Sequence, residues 1–480
     1  MDLQAARHFV DREDELNLVR QSIGDPKKEF EPQDSSIKEC TTNFFGVPGI
    51  GKSALLAEIY RQYYQNALLI TIAIDILKLR GSANEQINLH EAKTYFIRSV
   101  ARGIKPDTNS KDAELIQSLQ NLSVGSDGKA TDQAMNAIVS ALIRFEKRVF
   151  LFIDSWEYAP EAMLAWVERM LLLPLVREER LVCFMGSQVA LRWRQFEVRR
   201  RVLAYELRPL EMKHTKEQVG CEDELNHLIF DVTAGLPLAN EIVHKYLDDH
   251  QPVSLEWLTA NRARLANQIT NDIQDRVLAG TPDEIKPVFR VLSIFREFDV
   301  HTLQVILPQF LDDFKNRSQS SLLLAIKQMV ATRLVSWDDT LRAYQIDPTI
   351  RKIFARAFEW SDEQRYQAVR EAALKYYDDL IKEVPSNRPI YIREYFYHLL
   401  YKAPAEDYNA VKYQNLVEQL VRDYFISRDG SYADTQSLAQ LKDLIKDDKE
   451  LPQVLEIHHL PKILLSEALD RVISSIQPVS

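Results

Sequence analysis

The sequence predicts an α/β domain with a parallel sheet, followed by domains that are almost entirely helical. Residues 41–77 run through an apolar stretch, a glycine-rich loop, an amphipathic helix pattern and a second apolar stretch, which is the order of a βαβ unit. "RVFLFID" and "RLVCFMGSQ" are further apolar runs typical of strands buried on both faces. After one more short strand pattern, "VLAYELRPL", helical spacing continues to the end, interrupted by a hairpin pattern at 333–347.

The composition indicates a soluble globular protein of several domains. The chain has 480 residues, 46% hydrophobic and 27% charged, with three cysteines and no Cys-x-x-Cys pair. This pattern predicts a reducing compartment, and without a signal peptide or a long apolar segment we expect a cytoplasmic protein with no membrane partner. The net charge of −10 argues against chain-wide affinity for nucleic acid but is compatible with a local basic face.

The glycine-rich loop has the spacing of a phosphate-binding loop. Gly46, Gly51, Lys52 and Ser53 fit the Walker A pattern G-x-x-x-x-G-K-[ST], between a strand and a helix as this motif requires. Glycines let backbone N–H groups turn toward a phosphate, and the helix N-terminus adds partial positive charge. We expect Lys52 to reach the β- and γ-phosphates and the Ser53 hydroxyl to bind Mg²⁺.

A carboxylate at the end of a neighbouring strand would complete this site. "RVFLFID" ends in Asp154, which is predicted to hold Mg²⁺ together with Ser53. The next residue is Ser155 rather than a second acid, and Glu157 is the candidate for polarising the attacking water. The predicted catalytic residues are therefore Lys52, Asp154 and Glu157.

These motifs, in this order, resemble the STAND class of P-loop ATPases, AAA+-related signalling switches that include the NB-ARC and NACHT-like groups. The resemblance covers residues 9–358 and is carried by "FVDREDEL", "GVPGIGKSALL", "LFIDSWE", "ELRPL" and "GLPLA". In the class, the first of these segments lies over the adenine, and the proline of the last packs against the adenine or ribose. The resemblance implies an ATP or ADP site with Mg²⁺ as cofactor. Its implied nucleotide-binding residues are Val10, Arg12, Gly46, Pro48, Gly49, Ile50, Gly51, Lys52, Ser53, Ala54, Gln188, Pro237 and Leu238.

Three positions depart from the class pattern. Asp11 replaces a glycine, Gln188 ends the strand where relatives often have arginine, and Asp347 stands where many relatives have a histidine that contacts ADP. Arg192, Arg194 or the cluster 199–201 is a candidate to supply the missing positive charge, within the chain or across a subunit interface. The alternative for the cluster 199–201 is a solvated helix face. Slow hydrolysis is predicted, because no acid directly follows Asp154 and the residues at 155, 188 and 347 depart from the expected types.

The resemblance also predicts the domain organisation. "VLSIFREFDVHTLQVIL" and the hairpin Leu334–Ile346 resemble the winged-helix domain of the class, with the hairpin as its wing. The expected domains are a P-loop α/β domain (1–210), a helical subdomain with "GLPLA" (211–281), a winged-helix domain (282–360) and an all-α C-terminal domain (361–480). The last would sense a ligand or bind a partner.

Three functions fit these features. The first is an ATP/ADP-dependent molecular switch and weak ATPase that acts through self-association or a separate effector protein. The second is a winged-helix DNA-binding ATPase, a transcription regulator or origin-type loader. DNA is not favoured as a partner, because the candidate recognition helix offers only Lys327 and Arg333 as cations. The third is a scaffold that binds nucleotide without turnover.

Overall fold

The chain is divided into two compact units, one of residues 1–281 with 332–334 and the other of residues 282–331 with 335–480. The structure is a computed structural model, and the residues it describes are 9–23, 40–64, 69–79, 87–104, 111–120, 128–145, 147–278, 281–402, 410–426, 433–457 and 459–476. The outer ends of the predicted first and last domains, at 1 and 480, lie outside these residues. The finer domain boundaries at 210, 281 and 360 stay predictions.

The first unit is built on a five-stranded sheet in the order β2-β3-β4-β1-β5. Its strands are β1 (Thr41–Phe45), β2 (Leu69–Asp75), β3 (Arg148–Asp154), β4 (Leu181–Ser187) and β5 (Val202–Glu206). All four pairings are parallel. The carboxyl ends of the strands therefore share one edge of the sheet, with Asp75 opposite Asp154 and Phe45 opposite Ser187. In open α/β sheets this edge is where ligands bind.

Strand β3 shows why its sequence is continuously apolar. Alternate side chains of a strand point to opposite faces, and both faces of β3 are covered. Leu151 and Ile153 belong to a core cluster with the helices on one face. On the other face, Phe150 and Phe152 contact the rings of two tyrosines. This double burial holds the end of β3 firmly in the centre of the domain.

Helices surround this sheet and continue beyond it as a small bundle. They are α1 (Glu13–Ile23), α2 (Lys52–Tyr63), α3 (Leu89–Gly103), α4 (Lys111–Gln120), α5 (Gly128–Arg144), α6 (Glu161–Val167), α7 (Leu173–Arg177), α8 (Phe196–Arg199), α9 (Met212–Val219), α10 (Asp223–Thr233), α11 (Pro237–Asp248) and α12 (Leu255–Val277). A π-helical turn, Glu168–Leu172, joins α6 to α7, and 3₁₀ turns lie at Ile76–Leu79 and Trp156–Tyr158. Helices α9 to α12 pack on one another, and Leu265, Ile269 and Ile273 of α12 are fully buried at helical spacing.

The second unit is helical apart from one hairpin. Its elements are α13 (Lys286–Leu292), α14 (Val300–Phe310), α15 (Gln319–Ala331), β6 (Val335–Asp338), β7 (Ala343–Ile346), α16 (Pro348–Ser361), α17 (Glu363–Glu383), α18 (Arg388–Lys402), α19 (Ala410–Phe425), α20 (Thr435–Lys446), α21 (Leu451–Ile457) and α22 (Leu464–Ile476). Strands β6 and β7 are antiparallel, and Phe298 forms an isolated bridge to Tyr344. Helices followed by this hairpin are the winged-helix arrangement that the sequence predicts, so the expected fold class is confirmed.

A buried ion cluster lies inside the second unit. We define it as Arg296, Glu297, Arg393, Glu394 and Asp448. Arg296 contacts Glu394 at 2.7 Å and Asp448 at 2.6 Å, and Arg393 contacts Glu394 at 2.7 Å as well as Glu297. The cluster therefore joins the chain between α13 and α14 to α18 and to the turn before α21.

Two further sequence expectations concern cysteines and membranes. Cys40, Cys183 and Cys221 are free cysteines. No helix in the described part of the chain combines the length and the apolar character that a bilayer crossing requires.

Candidate nucleotide-binding site

The loop between β1 and α2 has the backbone of an anion-binding turn. Gly49 and Gly51 have φ values of 84° and 96°, a region that other residues rarely adopt. Gly51 is the N-cap of α2, so no side chain there caps the first N–H groups of the helix. Those N–H groups and the positive end of the helix dipole are directed toward the loop, the position where helix N-terminal sites bind an anion.

Lys52 reaches back across this loop. Its Nζ donates hydrogen bonds to the carbonyl oxygens of Gly46 at 2.7 Å and Val47 at 2.9 Å. Burial lowers the pKa of Lys52, and the negative charges of Glu157 and Asp154 oppose that shift. The ammonium group therefore lies between the loop and the two carboxylates, where a phosphate group would meet all three.

Asp154 and Ser53 are brought together at the end of β3. Burial raises the pKa of Asp154, while a hydrogen bond from the Ser53 hydroxyl lowers it. The Ser155 N–H donates to Asp154 Oδ1 at 2.8 Å, which orients the carboxylate. A hydroxyl beside a carboxylate is a set of oxygen donors that suits Mg²⁺, and the two residues match the predicted metal ligands.

Space for the Asp154 carboxylate comes from a glycine on the next strand. A Cβ added to Gly186 would lie 2.7 Å from Asp154 Oδ1. Gly186 is not among the residues predicted for the site, although a glycine inside an apolar strand signals a close approach of this kind. Asp75, at the end of β2, is likewise not among the predicted site residues. Its charge raises the pKa of Asp154 further.

Glu157 turns back toward the same end of the sheet. Ser155 adopts φ 61° and starts the 3₁₀ turn that carries Glu157. Glu157 Oε2 is buried and, among the described residues, accepts no hydrogen bond. Burial raises the pKa of Glu157, while the charge of Lys52 lowers it. Gln188, which directly follows β4, also has a buried and unpartnered Oε1, so two acceptors are left without a protein donor.

Arg12 connects the "FVDRE" segment to the phosphate loop through side-chain hydrogen bonds. Its guanidinium donates to the Ile50 carbonyl oxygen at 2.9 Å and to the Arg208 carbonyl oxygen at 2.9 Å, and it forms an ion pair with Glu15 at 3.2 Å. Val10 lies half-buried two residues before it. The N-terminal motif, the loop and the chain leaving β5 are thus joined through one buried side chain.

The "GLPLA" motif lies directly on the phosphate loop. Pro237 is the first residue of α11, where its missing N–H costs no helical hydrogen bond. Leu238 N–H donates to the Gly49 carbonyl oxygen at 3.1 Å. A Cβ on Gly49 would lie 2.7 Å from Leu238 Cβ, and one on Gly51 would lie 3.8 Å from Pro237 Cγ. Helix α11 of the bundle therefore begins in contact with the loop.

Three further residues singled out by the sequence lie in the loop, in α2 and at the start of α16. Pro48 lies in the loop and Ala54 in the first turn of α2. Asp347, in the second unit, is the N-cap of α16, where its carboxylate accepts hydrogen bonds from the N–H groups of Thr349 at 2.9 Å and Ile350 at 3.2 Å. Helix capping accounts for an aspartate at this position.

The first unit thus has a phosphate loop after β1, a carboxylate at the end of the adjacent β3, and all strands parallel. This combination is a P-loop α/β fold. No family profile matches the sequence, and no curated protein matches it significantly.

Comparison with solved structures gives three relevant similarities, each with a TM-score below 0.5. The chain is similar to a STAND protein with a tetratricopeptide repeat sensor from Pyrococcus horikoshii (TM-score 0.29, 13% identity), covering 98% of this chain and 59% of that one. It is similar to Cdc6p from Pyrobaculum aerophilum (TM-score 0.36, 14% identity, 76% of this chain and 98% of that one). It is also similar to the ORC2 protein of Aeropyrum pernix (TM-score 0.39, 11% identity, 75% and 96%). The P-loop fold itself follows from the strand order, the loop and the strand-end carboxylate of this chain.

Proposed function

We propose that this chain is a cytoplasmic ATP- and ADP-binding switch with slow ATP hydrolysis. The hydrogen bond from Leu238 N–H to the Gly49 carbonyl oxygen carries the proposal, because it joins the phosphate loop to the first turn of α11. A bound phosphate that changes the conformation of the loop then also changes the contacts of α11 with the loop. Differential contacts of this kind are what a ligand needs to shift a protein between two arrangements.

Each residue of the site has a distinct task in this proposal. Lys52 exchanges its loop carbonyl partners for phosphate oxygens, and the N–H groups at the start of α2 donate to the same phosphates. Ser53 and Asp154 would hold Mg²⁺, which would supply positive charge to the phosphates. Glu157 accepts a hydrogen bond from the attacking water with its free Oε2. The output passes through self-association or a separate effector protein.

Nucleotide binding by the purified chain tests the proposal. We expect bound ADP or ATP to be released on denaturation and detected by mass spectrometry, and a fluorescent ATP analogue to bind in the presence of Mg²⁺. Lys52→Ala should weaken binding by about a hundredfold, because it removes a charged donor to the phosphates. Lys213→Ala, which removes an exposed lysine of α9, is the matched control. A wild-type chain that binds neither nucleotide would overturn the proposal.

The link between loop and bundle can be tested separately at Gly235. Its φ is 70°, and an added Cβ would lie 2.1 Å from the Leu210 carbonyl oxygen, a backbone atom that cannot move aside alone. Gly235→Ala should therefore displace the "GLPLA" turn and weaken ATP binding by about tenfold. The control is Gly220→Ala, which has a similar φ of 72° and no atom within 4 Å of its Cβ. This control should cost only backbone strain, so equal ATP affinities in the two variants would count against the link.

DNA binding by the winged helix is not supported by its outward face. Leu323, Leu324 and Val330 of α15 are 43%, 56% and 37% exposed, and Lys327 is the cation among them. An apolar face of this kind suits protein contacts rather than phosphates.

A further inference from the structure

A strongly basic segment joins β4 to β5. Residues 190–201, "ALRWRQFEVRRR", contain five arginines and one glutamate, a net charge of +4 in a chain whose net charge is −10. We define the arginine ridge as the exposed residues of this segment: Arg192, Arg194, Phe196, Arg199 and Arg200. Phe196 is 65% exposed, the highest value among the large hydrophobic side chains described.

The arginines of the ridge are not used in ion pairs. Among the described residues, none of the four has a carboxylate within ion-pair distance. The nearby acids belong to other partners, since Glu197 pairs with Arg177 at 2.8 Å and Glu179 with Arg201 at 3.5 Å. Arg200 is attracted by the charge of Glu197, and the ridge otherwise presents its positive charge to solvent without an ion-pair partner among the described residues.

Buried polar side chains hold this irregular segment in place. Glu168, which is 1% exposed, accepts hydrogen bonds from the N–H groups of Arg194 at 3.1 Å and Gln195 at 2.6 Å. Asn43, which is fully buried, accepts one from Leu191 N–H at 2.9 Å. Burying a carboxylate is costly unless it is hydrogen-bonded, and Glu168 meets that condition through the backbone of the ridge. The segment is therefore preorganised rather than loosely attached.

The same segment alternates between core and surface. Trp193 and Val198 point into the main core cluster of the first unit. Arg192 and Arg194 flank Trp193 in the irregular chain before α8 and are exposed. Phe196 and Arg199 lie on α8 and Arg200 is its C-cap with helical backbone angles. They occupy positions i, i+3 and i+4, which share a helix face. The Arg199 guanidinium lies 5.8 Å from the centre of the Phe196 ring, so cation and aromatic are presented together.

We propose that the arginine ridge binds single-stranded nucleic acid, with backbone phosphates on the arginines and an unstacked base on Phe196. Exposed cations spread along residues 192–200 fit a chain of phosphates better than one enclosed anion. An exposed aromatic ring among arginines is the combination on which successive bases of a single strand stack. Bases inside a duplex do not offer their faces to such a ring. The surface lies on the α/β domain, and its residues are not among those to which the proposed ATP site assigns a task.

Fluorescence anisotropy with the full chain tests the charge contribution. The probes are labelled RNA and DNA single strands of about 20 nucleotides and a duplex of the same sequence. We expect micromolar binding of single strands at about 50 mM salt and weaker binding of the duplex. Arg199→Gln with Arg200→Gln should weaken binding by at least about tenfold and reduce the salt slope by about 1.4. The matched control is Arg264→Gln with Arg276→Gln on α12, which removes two exposed arginines elsewhere and should bind as the wild type does.

Substitutions of Phe196 test the stacking contribution. Phe196→Ala should weaken binding by about tenfold with an unchanged salt slope, because it removes a stacking surface but no charge. Phe196→Trp should retain wild-type affinity. ATP-analogue binding is measured for every variant, so that loss of the fold or failure of the ATP proposal is distinguished from loss of nucleic-acid binding.

Several outcomes would overturn the proposal. The first is a wild-type chain that binds no single strand at low salt, and the second is equal weakening by the ridge variant and the α12 control. Ridge variants that lose binding to anionic vesicles, or self-association in sedimentation, without any nucleic-acid binding would assign the ridge to a membrane surface or to a second copy of the chain.

Discussion

Glu157→Gln is expected to reduce ATP turnover by about two to three orders of magnitude while ATP binding is retained. Glu157 Oε2 is buried without a donor, so it is free to accept a proton or a hydrogen bond from the attacking water. Burial raises the pKa of Glu157 above its ordinary value of 4.5, which makes the carboxylate a stronger base. Phosphate release under single-turnover conditions measures the effect.

The pH dependence of turnover has a defined direction. A general base acts in its ionised form, so turnover in the wild type should fall as the pH decreases through the raised pKa of Glu157. The control is Glu161→Gln, an exposed residue at the start of α6, which should leave turnover unchanged. If Glu157→Gln turns over ATP at the wild-type rate, Glu157 is not the base. If the wild type binds ATP but does not hydrolyse it, the scaffold hypothesis is favoured instead.

The local geometry of the site could be predicted from the sequence because backbone conformation restricts residue type. Gly49 and Gly51 occupy φ values that favour glycine, and this restriction is what the loop pattern encodes. Asp11, which replaces a glycine of the class pattern, has φ 60°, and aspartate is among the residues that tolerate this region. Aspartate is therefore compatible with the backbone conformation of this position.

The supporting residues could not be predicted, because they depend on register and on distant contacts. Gly186 accommodates Asp154 only because β3 and β4 pair in one particular register. Glu168 stands in the apolar helix pattern "AWVERMLLL", and nothing there shows that it binds backbone 26 residues further on. Asn43 is a polar residue in the buried strand pattern "TTNFF". Its partner Ser187, at 2.8 Å, can be identified only when the order of the strands in the sheet is known.

Glu394→Gln is expected to destabilise the second unit by about 3–5 kcal/mol. Glu394 is 1% exposed and lies between Arg296 and Arg393. Burial alone would raise the pKa of Glu394, but the charges of the two arginines outweigh it and hold the pKa below its ordinary value. Neutralising this carboxylate leaves two buried guanidinium groups short of negative charge. Hydrogen exchange of α18 backbone amides in the full chain measures the local loss of stability, and unchanged protection would contradict the prediction.

Glu297→Gln, in the same ion cluster, should behave differently. Burial raises the pKa of Glu297 to about 7, the charge of Glu394 adds to this rise, and Arg393 opposes it. Since the folded chain binds this proton more tightly than the unfolded chain, whose ordinary pKa is 4.5, the associated stability is lost as the pH rises through about 7. Glutamine is neutral at every pH, so the variant does not lose stability in this way. Hydrogen-exchange protection of its α18 amides should therefore depend less on pH between 4.5 and about 7. The pKa shifts of Glu394 and Glu297 thus have opposite signs, although both residues contact Arg393. Glu394 contacts two arginines, which hold it ionised. Glu297 contacts one arginine and lies near the negative charge of Glu394.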